Sequence, residues 1–482
     1  MKKYGLLKIL GISFLVVVGL TWIIPTGSYA DGVFTAGDTL PLGLFDLIRT
    51  PLSTIANLIQ YAIVFLLIGG LYGIMNKTGV YSNLIDRLVN KFKGKEKNFL
   101  IITMLIFTIL SSLTGLSFVI FILVPFFVAV LLSMNYNKIT ALMATIGSML
   151  VGLIGSTYGF SINGYINYYL FLDIHNEILT KVIFLAIITF LSIVFVLKTI
   201  NKVDKAEPKK VSKKEEVKEE PKVIIPLLEK GNKNKKSFIP LLIVIGLMIV
   251  TLIVGMYNWQ YSFKIDFFSD SYTSLMGLDV AGYPLVKNII GAINPMGNWS
   301  IYELSIILVM AMLLIGWLYS LKLSESIDGF VKGAKEMFPT AVYVTLANIV
   351  FVVLASSSTG QNMFFAIANY FFSLTESLNI VTMTIVSTIG SFFYNDFSNL
   401  FNAMGSNIAI IYSDSTMYPI IGLIFRTMYG LVMLLAPTSL FLIAGLSYLG
   451  VSYKEWFKYI WKFLLQVFGI AIVIIVIMFM FV

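Results

Sequence analysis

Two charged side chains in this sequence fall where charge is costly. Asp396 sits in the run Tyr394-Asn395-Asp396-Phe397-Ser398-Asn399, with Phe392, Phe393 and Phe401 around it, and Arg426 lies inside the apolar run from Tyr418 to Leu449. A charge at the centre of a membrane costs ~2.5–3.5 kcal/mol on insertion scales, so such residues persist where they line a cavity or pathway. The planar guanidinium of Arg426 suits a carboxylate. Asp396 suits an ammonium group or a coupling cation, or it pairs with Arg426. Three clusters of small polar residues offer further ligands. They are Ser111 to Ser117, the run Gly155-Ser156-Thr157-Tyr158-Gly159 followed by Ser161 and Asn163, and the triplet Pro437-Thr438-Ser439. Hydroxyls and amides of this kind hold a small substrate or ion by hydrogen bonding. The candidate substrate- or ion-binding residues are therefore Ser112, Thr114, Gly115, Ser117, Ser156, Thr157, Ser161, Asn163, Asn395, Asp396, Ser398, Asn399, Arg426, Thr438 and Ser439.

Covalent chemistry finds little support. There is no Cys, and the lone His175 lies in a polar loop with Asp173, Asn176 and Glu177, which reads as solvated rather than metal-binding. The sequence shows no paired carboxylates and no nucleophile–His pair. It lacks a Gly-Lys-Ser/Thr phosphate loop, which argues against a nucleotide-driven pump. The expectation is a protein that is not an enzyme, with no cofactor and no metal site, and at most a coupling Na+ or H+.

The elements that must position these residues are membrane helices. Of 482 residues 58% are hydrophobic and 12% charged, with a mean hydropathy of +0.89, and apolar runs of about 20 residues recur along the chain. Residues 6–24 read as an uncleaved first span, although Lys2, Lys3 and the Ser28-Tyr29-Ala30 triplet resemble a secretory signal. An outside segment, 25–55, precedes a second span at about 56–75, and a basic amphipathic stretch follows at 76–97. The apolar run 98–134 is too long for one crossing and short for two, with its polar cluster in the middle, so it predicts a re-entrant hairpin. A broken helix at about 139–166 and a span at 180–197 complete an N-terminal half, residues 1–197.

Residues 198–236 carry thirteen Lys against seven acids in alternating blocks, and they read as a disordered charged cytoplasmic linker. The C-terminal half, 237–482, predicts spans at 237–256, 302–322 and 339–373. A second hairpin at about 380–414, a broken helix at 418–449 and a last span at 459–482 follow. Ile315-Gly316-Trp317-Leu318-Tyr319 echoes Ile68-Gly69-Gly70-Leu71-Tyr72 as a weak internal repeat. An alternative makes Ser356 to Gly360 the second hairpin tip, because it looks like Ser111 to Gly115. The positive-inside rule rejects it, since it would put Lys454, Lys458 and Lys462 outside. In the chosen topology only Arg49, Lys181, Lys264 and Lys287 lie outside, with Arg426 in the membrane. The net charge of +9 thus belongs to cytoplasmic loops, and nucleic acid is not an expected partner. The fold class is an all-α polytopic membrane protein of about nine transmembrane helices plus two re-entrant hairpins, in two inverted-topology halves with broken helices.

With these residues placed, the chain resembles the YfcC and anaerobic four-carbon dicarboxylate carrier group of the ion transporter superfamily. The p-aminobenzoyl-glutamate transporters are more distantly similar. The resemblance rests on Trp22-Ile23-Ile24-Pro25-Thr26-Gly27-Ser28-Tyr29, on Ile68-Gly69-Gly70 through Lys77-Thr78-Gly79, and on Ala436-Pro437-Thr438-Ser439 with its tail to Trp456. It implies a homodimer, an elevator-like moving domain and coupling to ions or a counter-substrate. The chain departs from the group where Asn163 is followed by Gly164 and Tyr165 rather than Pro-Phe. It departs again at the second hairpin, which carries Asn395-Asp396-Phe397-Ser398 in place of a Ser-Gly-Ser-Gly tip. The architecture therefore carries over and the substrate does not. The expected function is a secondary active transporter, symporter or exchanger, in the cytoplasmic membrane with its N-terminus and linker inside. Its substrate is a small charged metabolite such as an amino acid, short peptide or dicarboxylate. A carrier-derived scaffold that binds a partner without transporting is the alternative.

Overall fold

A computed structural model describes residues 5–203, 225–229, 234, 236–279, 282–291, 293–355, 361–375, 379–412 and 414–480. Apolar composition and length make these residues almost entirely helical. Among them, eight helices are long and apolar enough to cross a membrane. The N-terminal half runs through α1 (Gly5–Thr21), α2 (Asp46–Lys77) and the amphipathic α3 (Val80–Lys91). The helical pair α4 (Glu96–Thr114) and α5 (Ser117–Ser133) follows, then α6 (Lys138–Ile154), α7 (residues 160–169) and α8 (Ile178–Val203). The C-terminal half begins with α9 (Ile239–Met256), α10 (Ile301–Leu318), α11 (Leu323–Ala355) and α12 (Met363–Phe372). It ends with the pair α13 (Ile380–Phe393) and α14 (Phe397–Ile411), then α15 (Tyr418–Met433), α16 (Leu440–Leu449) and α17 (Tyr453–Met480).

Both expected hairpins and both expected helix breaks are present. Gly115 turns α4 into α5 with φ +69°, a left-handed conformation that favours glycine, and Tyr394-Asn395-Asp396 turns α13 into α14. Residues 155–159 separate α6 from α7, and 434–439 separate α15 from α16. Counted through these landmarks, the halves share one order: a long helix, a short helix, a hairpin, a broken helix and a closing helix.

The corresponding helices pack antiparallel, as inverted halves require. Helix α2 crosses α11 through glycines, where a Cβ on Gly69 would run into the backbone of Gly333 and one on Gly73 into that of Gly329. The numbering rises along one helix as it falls along the other. The broken helices do the same, with Ile154 against Gly430, Asn163 against Arg426 and Ile166 against Gly422. The partner of α2 is thus α11. The Ile315 to Tyr319 echo falls at the end of α10 and on Tyr319 just beyond it, so it does not mark an equivalent position.

Two expectations need correction, one lies outside the described residues, and one feature was not expected. The span expected from 339 starts earlier, because one helix, α11, runs from Leu323 through Pro339. The segment 339–373 is not a single crossing, because α12 starts afresh at Asn362, whose side chain accepts from the Phe365 N–H. The Ser356 to Gly360 cluster lies outside the described residues. A two-stranded hairpin interrupts the helical pattern: β1 (Gly27–Ala30) pairs antiparallel with β2 (Val33–Ala36), and Gly27 exchanges backbone hydrogen bonds of 3.1 and 2.9 Å with Asn362.

The linker is also more than a tether. Its first residues continue α8 to Val203, and residues 204–224 lie outside the described set. Further on, Ile225 and Leu227 are buried. The Leu227 carbonyl accepts from Asn76 at 3.0 Å, its N–H donates to Glu336 at 2.7 Å, and the Glu229 N–H donates to Asn76 at 3.1 Å. Lys332 closes an ion pair with Glu229 at 3.0 Å. Two apolar side chains within a charged run supply the burial that lets this strip dock.

Burial sorts the helices by neighbour. In the apolar stretch of α15, 83% of residues are buried, against 22% in α17. The first lies at the centre of the fold and the second has a broad apolar face turned outward, suited to lipid.

Candidate binding cavity

The first hairpin and the first break are built against each other. Glycine and hydroxyl residues free the backbone between α6 and α7, and the α4 end then satisfies it. The N–H groups of Thr157 and Gly159 donate to the Ser112 carbonyl at 3.1 and 3.0 Å, and the Ser112 hydroxyl donates to the Gly155 carbonyl at 2.8 Å. The Ser161 hydroxyl donates to the Gly115 carbonyl at 3.0 Å. Asn163 donates to the carbonyls of Ser156 and Thr157 at 3.2 and 3.0 Å and to the Ser156 hydroxyl at 3.0 Å. Thr114 donates to the Leu110 carbonyl at 2.7 Å and accepts from the Leu116 N–H at 3.2 Å. All of these but the contact to the Ser156 hydroxyl answer a backbone group, which left unpaired in the interior would cost about 1–3 kcal/mol.

The second hairpin turns on Asp396. Its carboxylate caps α14, accepting from the Ser398 N–H at 2.8 Å and from the Ser398 hydroxyl, and it stays exposed. Asn395 donates to Asn348 of α11 at 2.7 Å, and its carbonyl accepts from the Tyr429 hydroxyl at 3.0 Å.

Between the two hairpin tips lies a cavity of about 360 Å³, a size that suits a small organic ligand. Gly115 and Ser117, Ser161, Asn395, Asp396, Ser398, Asn399 and Ser439 all line it. Four helices begin at its wall, α5, α7, α14 and α16, each bringing the positive end of its dipole. Asp396 already occupies the start of α14. No Lys or Arg is among the lining residues, so helix ends and amides are what would meet a carboxylate there.

A family model described as the C4-dicarboxylate anaerobic carrier, DcuC, matches residues 5–480. The chain belongs to that family. It is also similar to the Alcanivorax borkumensis YdaH transporter, whose crystal structure is described as revealing an unusual topology. That likeness is 11% identity over 98% of each chain, with a TM-score of 0.38. No curated protein matches the chain.

In this DcuC-family chain the remaining expected residues take other places. Ser112, Thr114, Ser156 and Thr157 frame the break and do not line the cavity. Thr438 is buried, and its hydroxyl has no partner among the described residues. Arg426 and Asp396 form no ion pair. Arg426 is 3% exposed and donates to Asn163 at 2.9 Å, and it lines a separate small cavity with Asn163. His175 is exposed, with its ring nitrogen 3.2 Å from the Tyr158 hydroxyl.

Three polar lining residues escaped the sequence reading: Tyr61, Asn348 and Tyr429. Asn348 is the informative one. It is 4% exposed, and its amide nitrogen has no partner among the described residues. Its signal was a lone amide within the apolar run Ala347 to Val353.

Proposed function

We propose that this protein is a secondary active transporter that moves a small carboxylate-bearing metabolite across the cytoplasmic membrane through the cavity between Gly115 and Asp396. The observation that carries this reading is the meeting of two hairpin tips and two helix breaks around one space of ligand size. A carboxylate of the substrate sits at the starts of α5, α7 and α16. Asp396 takes the opposite charge, either an ammonium group of an amino acid or short peptide or the Na+ or H+ that couples transport of a dicarboxylate. The family's description as a carrier of four-carbon dicarboxylates supports a substrate with carboxylate chemistry, and carriage rather than catalysis. The Trp22 to Tyr29 and Ala436 to Ser439 stretches favour the YfcC branch.

Alternating access is elevator-like in this proposal. The hairpins and broken helices move as a body against α2 and α11, within a homodimer. The N-terminus and linker face the cytoplasm, as the distribution of Lys and Arg favours. Uptake into liposomes tests the reading, with dicarboxylates, amino acids and short peptides presented under Na+ and proton gradients. Saturable, gradient-driven accumulation of one class is expected. Absence of uptake and exchange for the whole panel, from a monodisperse preparation, would overturn it.

A further inference from the structure

A second, much smaller cavity lies behind the first break. Its volume is about 20 Å³, and Asn163, Asn167, Thr180, Lys181, Gly422 and Arg426 are among the residues that line it. About 10–15 Å³ of such space holds one water, so this cavity fits a single water-sized particle and no organic substrate.

Its walls are unusual in what they leave unpaired. Arg426, Lys181 and Asn167 are only 3%, 6% and 5% exposed. Arg426 gives one N–H to Asn163 at 2.9 Å, while its Nε has no partner among the described residues. The Asn167 amide nitrogen is likewise buried without a partner, and the Lys181 ammonium makes neither a hydrogen bond nor an ion pair among them. Glu177 also borders the cavity, but it is exposed, accepts from the Thr180 hydroxyl at 2.9 Å and forms no ion pair with either cation. Two buried basic side chains and an orphaned amide donor therefore face one ion-sized space with no acidic group in contact. Burying such charges unneutralised is strongly unfavourable, and a bound anion relieves it.

We infer that this cavity is a halide site, in which one chloride is held by the Arg426 guanidinium, the Lys181 ammonium and the Asn167 amide. Through Arg426 the ion fixes Asn163, which in turn ties down the Ser156 and Thr157 carbonyls at the break. The site is structural with respect to the transport cavity, and it stands whether or not the protein carries a carboxylate.

The test is thermal unfolding of the full chain in detergent, in sodium chloride, bromide or gluconate at fixed ionic strength. Chloride and bromide should raise the melting temperature saturably over gluconate, as a ligand of the folded state does. Lys181→Met and Asn167→Leu should each raise the half-saturating chloride concentration about tenfold or more. Arg426→Gln should abolish the response. If Arg426→Gln does not fold, the two milder variants still decide. A bromide-soaked crystal should show an anomalous peak between Arg426 and Asn167. Equal melting in chloride and gluconate, a chloride response unchanged in Lys181→Met and Asn167→Leu, or an empty bromide map would leave a water there and overturn the halide site.

Discussion

Arg426 and Asn163 meet at 2.9 Å across two antiparallel broken helices, so this buried guanidinium braces the wall of the large cavity instead of facing its contents. Asp396, the other charge expected at membrane depth, is exposed in that cavity and caps α14. The two charges are neither in contact nor lining the same space.

A double-mutant cycle should therefore find no coupling between them. The stability changes of Asp396→Asn and Arg426→Gln should add to within about 0.5 kcal/mol, as for separated sites. Rescue of either single variant by the double change, in detergent unfolding, would show that they pair after all.

Asp396→Asn should separate transport from stability. Asparagine caps a helix about as well as aspartate, and only the favourable charge at the helix start is lost, so unfolding should shift by at most about 1 kcal/mol. Liposome flux should fall about tenfold or more, the worth of a lost charge-assisted hydrogen bond. Unchanged flux would remove Asp396 from the binding residues.

Gly115→Ala strikes the first tip twice. The residue holds φ +69°, which costs an alanine ~1–2 kcal/mol, and the new methyl would overlap the Ser161 side chain across the break. Both stability and flux should drop. Wild-type flux from this variant would mean that the contact between tip and break is dispensable.

Gly69→Ala and Gly333→Ala should each destabilise by ~1–3 kcal/mol, because the backbones of α2 and α11 leave no room for a methyl. Gly246→Ala, on the open face of α9, is the control. A Cβ there meets nothing within 4 Å, and alanine favours the helix, so melting should hold or rise.

Orientation can be read by labelling, since the chain contains no Cys. A single Ser269→Cys should react with an impermeant maleimide from outside. Ser452→Cys should react only after the membrane is opened. Reversed labelling at Ser452 would break the inverted arrangement of the halves.

Hairpins and breaks were legible because their signals are local. Gly115 among hydroxyls, Gly155 to Gly159, and Pro437 in an apolar run each mark where a helix must stop. The β-hairpin was legible too and went unread: Asp31-Gly32 between alternating residues is a tight-turn signal, and both adopt positive φ. What the chain alone could not supply is which polar residues face the cavity. Ser112 and Ser117 are chemically alike and five residues apart, yet one holds the break and the other lines the space. Ser112 closes α4 and Ser117 opens α5 beyond the Gly115 turn, and how those two helices sit against the break is set by distant packing such as Gly430 on Ile154. The Asp396–Arg426 pairing failed for the same reason, since opposite charge in two neighbouring segments does not fix which side of a third helix each one takes.

The docked strip Ile225–Glu229 changes what joins the two halves. It is held by Asn76 from the first half and by Glu336 and Lys332 from the second. The connection between the halves is therefore fixed at Val203, where α8 ends, and again at Ile225. A fixed anchor keeps the local concentration of one half near the other high whatever the sequence between them. A deletion at Leu227 would pull a buried side chain out of the seam between the halves.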